Sequence, residues 1–101
     1  MLAAYCAAKA GVAGLIRALA VELAGTGVTA NAVSPGSTAT PMLDESARLY
    51  ALPDAHAFSA QQPIQRLLEP NEIAAVLAFL AGPASSGMTG AIVPVDGGLA
   101  L

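Results

Sequence analysis

The first quarter of the chain has the hydrophobic period of an α-helix. Between residues 3 and 24, large apolar side chains recur at spacings of three and four, at Val12, Leu15, Ile16, Leu19 and Leu23. The many alanines in this segment also favour a helix. Gly25 and Gly27 follow, and glycine is common where helices end. We therefore predict a helix over residues 3–24.

The next apolar segment has the length and composition of a buried β-strand. Residues 28–34, VTANAVS, are followed by Pro35-Gly36, and such a pair ends a strand. A helix, a tight turn and a buried strand in succession indicate an αβ unit of a parallel sheet.

The pattern predicts a second helix and a second strand near the end of the chain. The helix begins at Pro70, because proline is frequent at the first helical position, and Gly82 stands at its end. Residues 91–95, AIVPV, form the predicted strand, which a turn at residues 96–98 follows. The apolar face of the helix is predicted to hold Ile73, Val76, Leu77 and Leu80.

Residues 37–62 have the least regular pattern, with two prolines and the polar run SAQQ. We expect a short helix around Leu43–Leu52 and irregular structure elsewhere in this segment. Loops of this length are usually either functional lids or disordered.

Composition indicates a chain that buries much of its surface against other protein. Apolar residues make up 55% of the chain and charged residues 11%, against about 45–50% and about 25% in typical globular proteins. We expect a piece of a larger protein, or a subunit that packs against copies of itself. Cys6 is the single cysteine, which fits a reducing cytosol, and within the apolar helix we expect it to be buried.

Charge and segment lengths argue against several kinds of partner. The net charge is −3 and the four basic residues are scattered, whereas nucleic acid needs a clustered positive face. The apolar first helix has no basic leading region, and glycines interrupt residues 73–95, so no membrane segment is predicted. His56 is the only histidine, and with the scattered carboxylates it gives no metal-ligand pattern. We expect a soluble cytoplasmic protein.

The best candidate for chemistry is the pair Tyr5 and Lys9. Residues four apart share one face of a helix, so the phenol and the ammonium project together. A free phenol is a poor base at neutral pH, and a nearby cation favours the phenolate, which makes proton transfer accessible. The same spacing occurs by chance in many helices, and a structural role remains the alternative for the pair alone.

The wider pattern resembles a known family. In order along the chain stand YCAAKAG, GVTANAVSPG, TPM, EPNEIA, FLAGPASSGMTG and VDGG. From about Ala4 to Leu99 this order resembles the C-terminal portion of a short-chain dehydrogenase/reductase. The resemblance implies an α/β fold: the C-terminal part of a Rossmann-like doubly wound parallel sheet, with two strands, two main helices and residues 37–62 as a substrate lid.

The resemblance also implies roles for particular residues. Tyr5 matches the tyrosine that exchanges a proton with the substrate oxygen while a hydride moves to or from nicotinamide. Lys9 matches the lysine that activates this tyrosine and binds the nicotinamide ribose. An NAD(P)-dependent oxidoreductase that acts on a small alcohol or carbonyl compound is therefore expected.

Further residues match the cofactor and substrate regions of the family. Pro35 and Gly36 match the bend beside the nicotinamide ring. Thr38 stands where valine or isoleucine is usual and is expected to meet the carboxamide through its backbone, and Thr40 matches a threonine near the carboxamide and phosphates. In the lid, the residues that would shape specificity are Met42, Leu43, Leu49 and Tyr50, although simple packing explains these four equally well.

Other parts of the family pattern are missing from the sequence. It contains no glycine-rich G-x-x-x-G-x-G loop for NAD or NADP, and the catalytic serine would precede residue 1. We therefore expect a C-terminal fragment of one Rossmann-like domain whose full-length form is a homo-oligomer, a dimer or tetramer. The alternative is a non-catalytic truncated product that acts as an interaction or oligomerisation module. A narrower resemblance, carried by AAYCAAKAGV and ARLYALPDAHAF among others, is to the mycofactocin-coupled branch of the family.

Overall fold

The computed structural model describes residues 2–101. Its helices and strands are α1 (Leu2–Glu22), β1 (Ala32–Pro35), α2 (Pro41–Leu49), α3 (Pro70–Ala81) and β2 (Ile92–Val95). Two short 3-10 helices, Ala55–Gln61 and Pro83–Ser85, join them. The two strands pair in a parallel sheet, so the predicted α/β class is confirmed.

The described chain divides into two compact units. The first unit contains the residues up to Ala32 together with Phe79–Val93, and the second contains Val33–Ala78 together with Pro94–Leu101.

In the first unit, α1 matches the predicted helix to within two residues at its C-terminal end. Gly25 and Gly27 follow it with φ angles of +79° and +81°, a conformation that glycine adopts at little cost. None of the residues of α1 is buried, and Cys6 is exposed. The prediction of a buried Cys6 is wrong for this chain, because no layer of the unit covers that part of the helix.

By length and composition α1 is also apolar enough to cross a membrane. Core helices of soluble proteins and signal sequences share this property, so the helix alone is weak evidence for a membrane-spanning segment.

The first strand is shorter than predicted, because the side chain of Asn31 forms hydrogen bonds where strand pairing would use the backbone. The Asn31 side chain donates to the Met88 carbonyl (3.0 Å) and accepts from the Ala91 amide (3.1 Å). One backbone hydrogen bond precedes the strand, from the Gly90 amide to the Ala30 carbonyl (2.6 Å). The strand itself begins at Ala32, whose amide donates to the Ala91 carbonyl (2.9 Å). The predicted strand over residues 28–34 is therefore observed as Ala32–Pro35.

In the second unit, side-chain caps fix the starts of two helices. Thr40 caps α2, its hydroxyl accepting from the Leu43 amide (3.2 Å), and Pro41 occupies the first helical position. Asp54 caps the 3-10 helix by accepting from the His56 amide (2.8 Å). Such caps satisfy amides that have no partner within the helix. The buried apolar residues of this unit are Ala47, Ala55, Leu67 and Leu68.

Candidate active site

The predicted pair Tyr5 and Lys9 lies on one face of α1. The Lys9 ammonium nitrogen is 5.5 Å from the centroid of the Tyr5 ring, within the range of a cation–π contact. Tyr5 is 61% exposed, so its hydroxyl is open to an incoming molecule. The helix therefore presents a phenol and a cation side by side, as the four-residue spacing predicts.

Four further predicted residues lie in the second unit. Pro35 is the last residue of β1, and Gly36, Thr38 and Thr40 lie in the segment that joins β1 to α2. Gly36 is the most enclosed of them: its amide donates to the Val95 carbonyl (3.0 Å). A Cβ at this position would overlap the Gln62 side-chain oxygen and would lie 2.7 Å from both the Cα and the carbonyl oxygen of Asp96. Only glycine fits this bend without displacing backbone.

Thr38 presents a backbone donor and acceptor on one side of the bend. It forms a parallel bridge with Leu68, in which Leu68 donates to the Ser37 carbonyl (2.9 Å) and accepts from the Ala39 amide (2.8 Å). All peptide bonds in the described chain are trans, so the N–H and C=O of Thr38 point away from Leu68. Within residues 2–101 the Thr38 N–H donates to no acceptor.

The Thr40 hydroxyl is already engaged inside the protein. It caps α2 and also donates to the Thr38 carbonyl at 3.3 Å. Thr40 therefore joins the bend to the first helix of the lid segment, a structural role that the sequence motif does not reveal.

The lid segment folds into α2 and the following 3-10 helix. Of the four residues predicted to shape specificity, Met42, Leu49 and Tyr50 are exposed and Leu43 is half-buried. None of them lines the cavity of about 310 Å³ in this unit, whose walls are Ala39, Thr40, Pro41, Asp44, Asp54, Ala55, His56 and Leu67. Their role in specificity remains a prediction. Across residues 2–101, no group of three or more His, Cys, Asp or Glu side chains could hold a metal ion.

Sequence reasoning missed the buried polar support of the bend. Gln62 is 1% exposed, and its side chain accepts from the Ser37 amide (2.6 Å) and donates to the Arg66 carbonyl (2.7 Å). Arg66 in turn forms a two-point ion pair with Glu72 on α3 (2.7 and 2.8 Å). A glutamine in a polar run gives no signal that it is buried.

Glu72, in the first turn of α3, has a strongly lowered pKa. The Arg66 guanidinium, followed by the Glu69 amide, lowers the pKa of Glu72 from its ordinary value of 4.5 to about 2. This arrangement resembles half of a capping box, since Glu72 reaches back to the amide that precedes the helix (2.8 Å).

Acidification is expected to weaken the fold through Glu72. Because its pKa is lower in the folded state, its stabilising effect is complete above about pH 4.5 and is lost as the pH falls through about 2. Thermal unfolding should show a smaller loss of Tm between these pH values for Glu72→Gln than for the wild type. The control Glu22→Gln removes a carboxylate on α1 that forms no ion pair within residues 2–101, and it should follow the wild-type curve. Identical curves for the wild type and Glu72→Gln would contradict the assignment.

Comparison with known proteins identifies the family. A family model described as enoyl-(acyl carrier protein) reductase matches residues 1–100. Cis-4-hydroxycyclohexanecarboxylate dehydrogenase of Sinomonas cyclohexanicum is 50% identical over 95 residues, which are 93% of this chain and 36% of that protein. The chain belongs to the short-chain dehydrogenase/reductase family.

Solved structures agree with the fold. Ligand-free aldohexose dehydrogenase of Thermoplasma acidophilum superposes with a TM-score of 0.89 at 33% identity, over 97% of this chain and 41% of that one. The F189W variant of actinorhodin polyketide ketoreductase with NADPH gives 0.88 at 40% identity, over 96% and 40%. These neighbours confirm the Rossmann-like class. The chain spans 36% to 41% of the length of the three proteins described.

Proposed function

We propose that the protein carrying these residues is an NAD(P)-dependent oxidoreductase that interconverts a small alcohol and its carbonyl compound. The observation that carries the proposal is the exposed Tyr5 beside Lys9 on α1, in a chain of this family. Bound NAD or NADP would supply or accept the hydride. In the reducing direction the Tyr5 hydroxyl donates a proton to the substrate oxygen, and in the oxidising direction the phenolate takes it back.

Lys9 acts on this proton transfer by charge. Its ammonium group lies against the Tyr5 ring, so a positive charge stands beside the phenol whose oxygen becomes negative when its proton is transferred. Opposite charges this close interact strongly only if water is displaced, and bound substrate and cofactor would displace it.

The bend between β1 and α2 fits the carboxamide of a nicotinamide. A primary carboxamide has an N–H₂ donor and a C=O acceptor next to each other, and Thr38 offers the complementary pair from its backbone. Because Thr38 uses only main-chain groups for this purpose, its departure from the usual valine or isoleucine leaves the contact intact. This complementarity supports a nicotinamide cofactor, and the NADPH in the ketoreductase structure supports it further.

The relatives indicate the substrate class. One is a dehydrogenase of a hydroxycyclohexanecarboxylate, one of an aldohexose, and one is a polyketide ketoreductase. All three names describe the oxidation of an alcohol or the reduction of a ketone, so we assign a small alcohol or carbonyl substrate. The low charged fraction of 11% supports the further proposal of a homo-oligomer that covers apolar surface. The single cysteine is compatible with the further proposal of a cytoplasmic location.

The proposal is tested with the native protein, purified from its own cell. NADH and NADPH are titrated by their fluorescence, and cyclic ketones, keto acids and aldohexoses are screened for a change in nicotinamide absorbance. We expect one of the two cofactors to bind and at least one carbonyl compound to oxidise it. A protein that binds neither cofactor would support the alternative of a non-catalytic interaction module.

The mycofactocin-coupled hypothesis makes a separate prediction for the same preparation. Members of that branch hold nicotinamide without ready exchange, so the cofactor should stay with the protein through desalting. Denaturing the desalted protein and measuring released NAD(P) tests this, and a preparation free of nicotinamide would contradict it.

A further inference from the structure

Gln62 is the most deeply buried polar side chain in the described chain, and both ends of its amide are used. It is 1% exposed, its oxygen accepts from the Ser37 amide (2.6 Å), and its nitrogen donates to the Arg66 carbonyl (2.7 Å). A buried amide is costly unless it is fully hydrogen-bonded. The orientation of this side chain is therefore fixed by partners on two different segments.

The Gln62 oxygen contacts the bend beside Gly36. The same oxygen that accepts from Ser37 is the atom that a Cβ at Gly36 would overlap. The glycine thus lets the Gln62 side chain reach the backbone of the bend. The contact joins residues 25 positions apart in the sequence.

Two hydrogen bonds together set the direction of the Thr38 amide. Gln62 holds the Ser37 N–H, and Leu68 holds the Ser37 C=O. The Ser37 N–H lies on the peptide plane between Gly36 and Ser37, and the Ser37 C=O lies on the plane between Ser37 and Thr38. Gln62 therefore holds the first plane and Leu68 holds the second. Together they fix the backbone angles of Ser37 between the two planes, and with them the direction of the Thr38 N–H.

We propose that Gln62 is a positioning residue for cofactor binding: through the Ser37 amide it holds the Thr38 backbone in the orientation that binds the nicotinamide carboxamide. The inference rests on the proposed function, because it assumes that the bend meets a nicotinamide. This role differs from a role in stability. It affects the binding of the nicotinamide end of the cofactor and leaves the binding of the ADP-ribose part unchanged.

The test compares two ligands in the native protein. ADP-ribose, or its 2′-phosphate if the protein prefers NADP, lacks the nicotinamide, whereas NAD(P)H carries it. Calorimetric titration of both gives the ratio of their affinities for the wild type, Gln62→Met and Gln62→Asn. Methionine has similar length but no amide, and asparagine keeps the amide but is too short to reach Ser37. Gln61→Met makes the same change at an exposed neighbour and serves as the control.

Each substitution at Gln62 should lower the NAD(P)H affinity relative to ADP-ribose by about tenfold, the effect of losing one well-placed hydrogen bond. Gln61→Met should keep the wild-type ratio. Because the two Gln62 variants perturb the core differently, either one that folds is sufficient for the test.

Two results would overturn the inference, and they can be told apart. If the wild type binds both ligands and a folded Gln62 variant keeps the wild-type ratio, Gln62 does not position the bend, although the proposed function stands. If the wild type binds neither ligand, the proposed function fails and the inference fails with it.

Discussion

Replacement of Tyr5 by phenylalanine is expected to lower kcat by about 10²–10⁴-fold, the range of a general acid–base contribution. The substitution removes only the hydroxyl group. Tyr5 is largely exposed on α1, so the fold should tolerate the change. The dissociation constant of NAD(P)H should stay close to the wild-type value, because the phenol acts in the transition state rather than in cofactor binding. The comparison requires steady-state turnover and a cofactor titration on the same protein.

Cys6→Ser is the matched control for this experiment. Cys6 is the next residue of α1 and is also exposed, and its side chain has no place in the proposed chemistry. Its turnover should equal that of the wild type. If Tyr5→Phe lowered binding and turnover in equal measure, or left both unchanged, the hydroxyl would have no specific part in proton transfer.

Replacement of Gly36 by alanine is expected to have the largest effect on stability. Its φ lies outside the left-handed region, so the effect comes from space alone. The added Cβ would lie 2.7 Å from the Cα and the carbonyl oxygen of Asp96, and backbone cannot move aside as the end of a side chain can. Urea unfolding should show a loss of about 1–3 kcal/mol, typical of overpacking, together with weaker NAD(P)H binding.

Gly87→Ala provides the control for Gly36→Ala. A Cβ at Gly87 would meet nothing within 4 Å, and its φ also lies outside the left-handed region. Its unfolding free energy should differ from the wild type by no more than about 0.5 kcal/mol. Equal losses of unfolding free energy for the two variants would show that the close contacts around Gly36 do not exclude a Cβ at this position.

The sequence predicts the second main helix better than it predicts the first strand. Proline at the start and glycine after the end set the second helix, which is observed as Pro70–Ala81, and these signals depend only on neighbouring residues. The first strand is shorter than its apolar run because the Asn31 side chain takes over hydrogen bonds to Met88 and Ala91. These hydrogen bonds join residues 57 and 60 positions apart, so the local sequence pattern cannot predict them.

In the candidate site, too, local contacts can be predicted from the sequence and contacts between distant segments cannot. The four-residue spacing predicts Tyr5 and Lys9 as a pair because their contact follows from helix geometry alone, and the structure places them together. The contact of Gln62 with Ser37 and the burial of Gln62 depend on how the segment after the lid returns to the bend. An apolar pattern predicts that a helix face is covered but not which protein layer covers it, so the sequence does not predict the exposure of Cys6.

In the proposed function, the protein moves a hydride between nicotinamide and a carbonyl carbon. The most direct test supplies NAD(P)H deuterated at both C4 positions, together with the carbonyl compound found in the screen, and analyses the alcohol by mass spectrometry. The proposed reaction predicts an alcohol with deuterium on its carbinol carbon, while the hydroxyl proton comes from Tyr5 and ultimately from water. An alcohol without deuterium on that carbon would contradict hydride transfer from the cofactor.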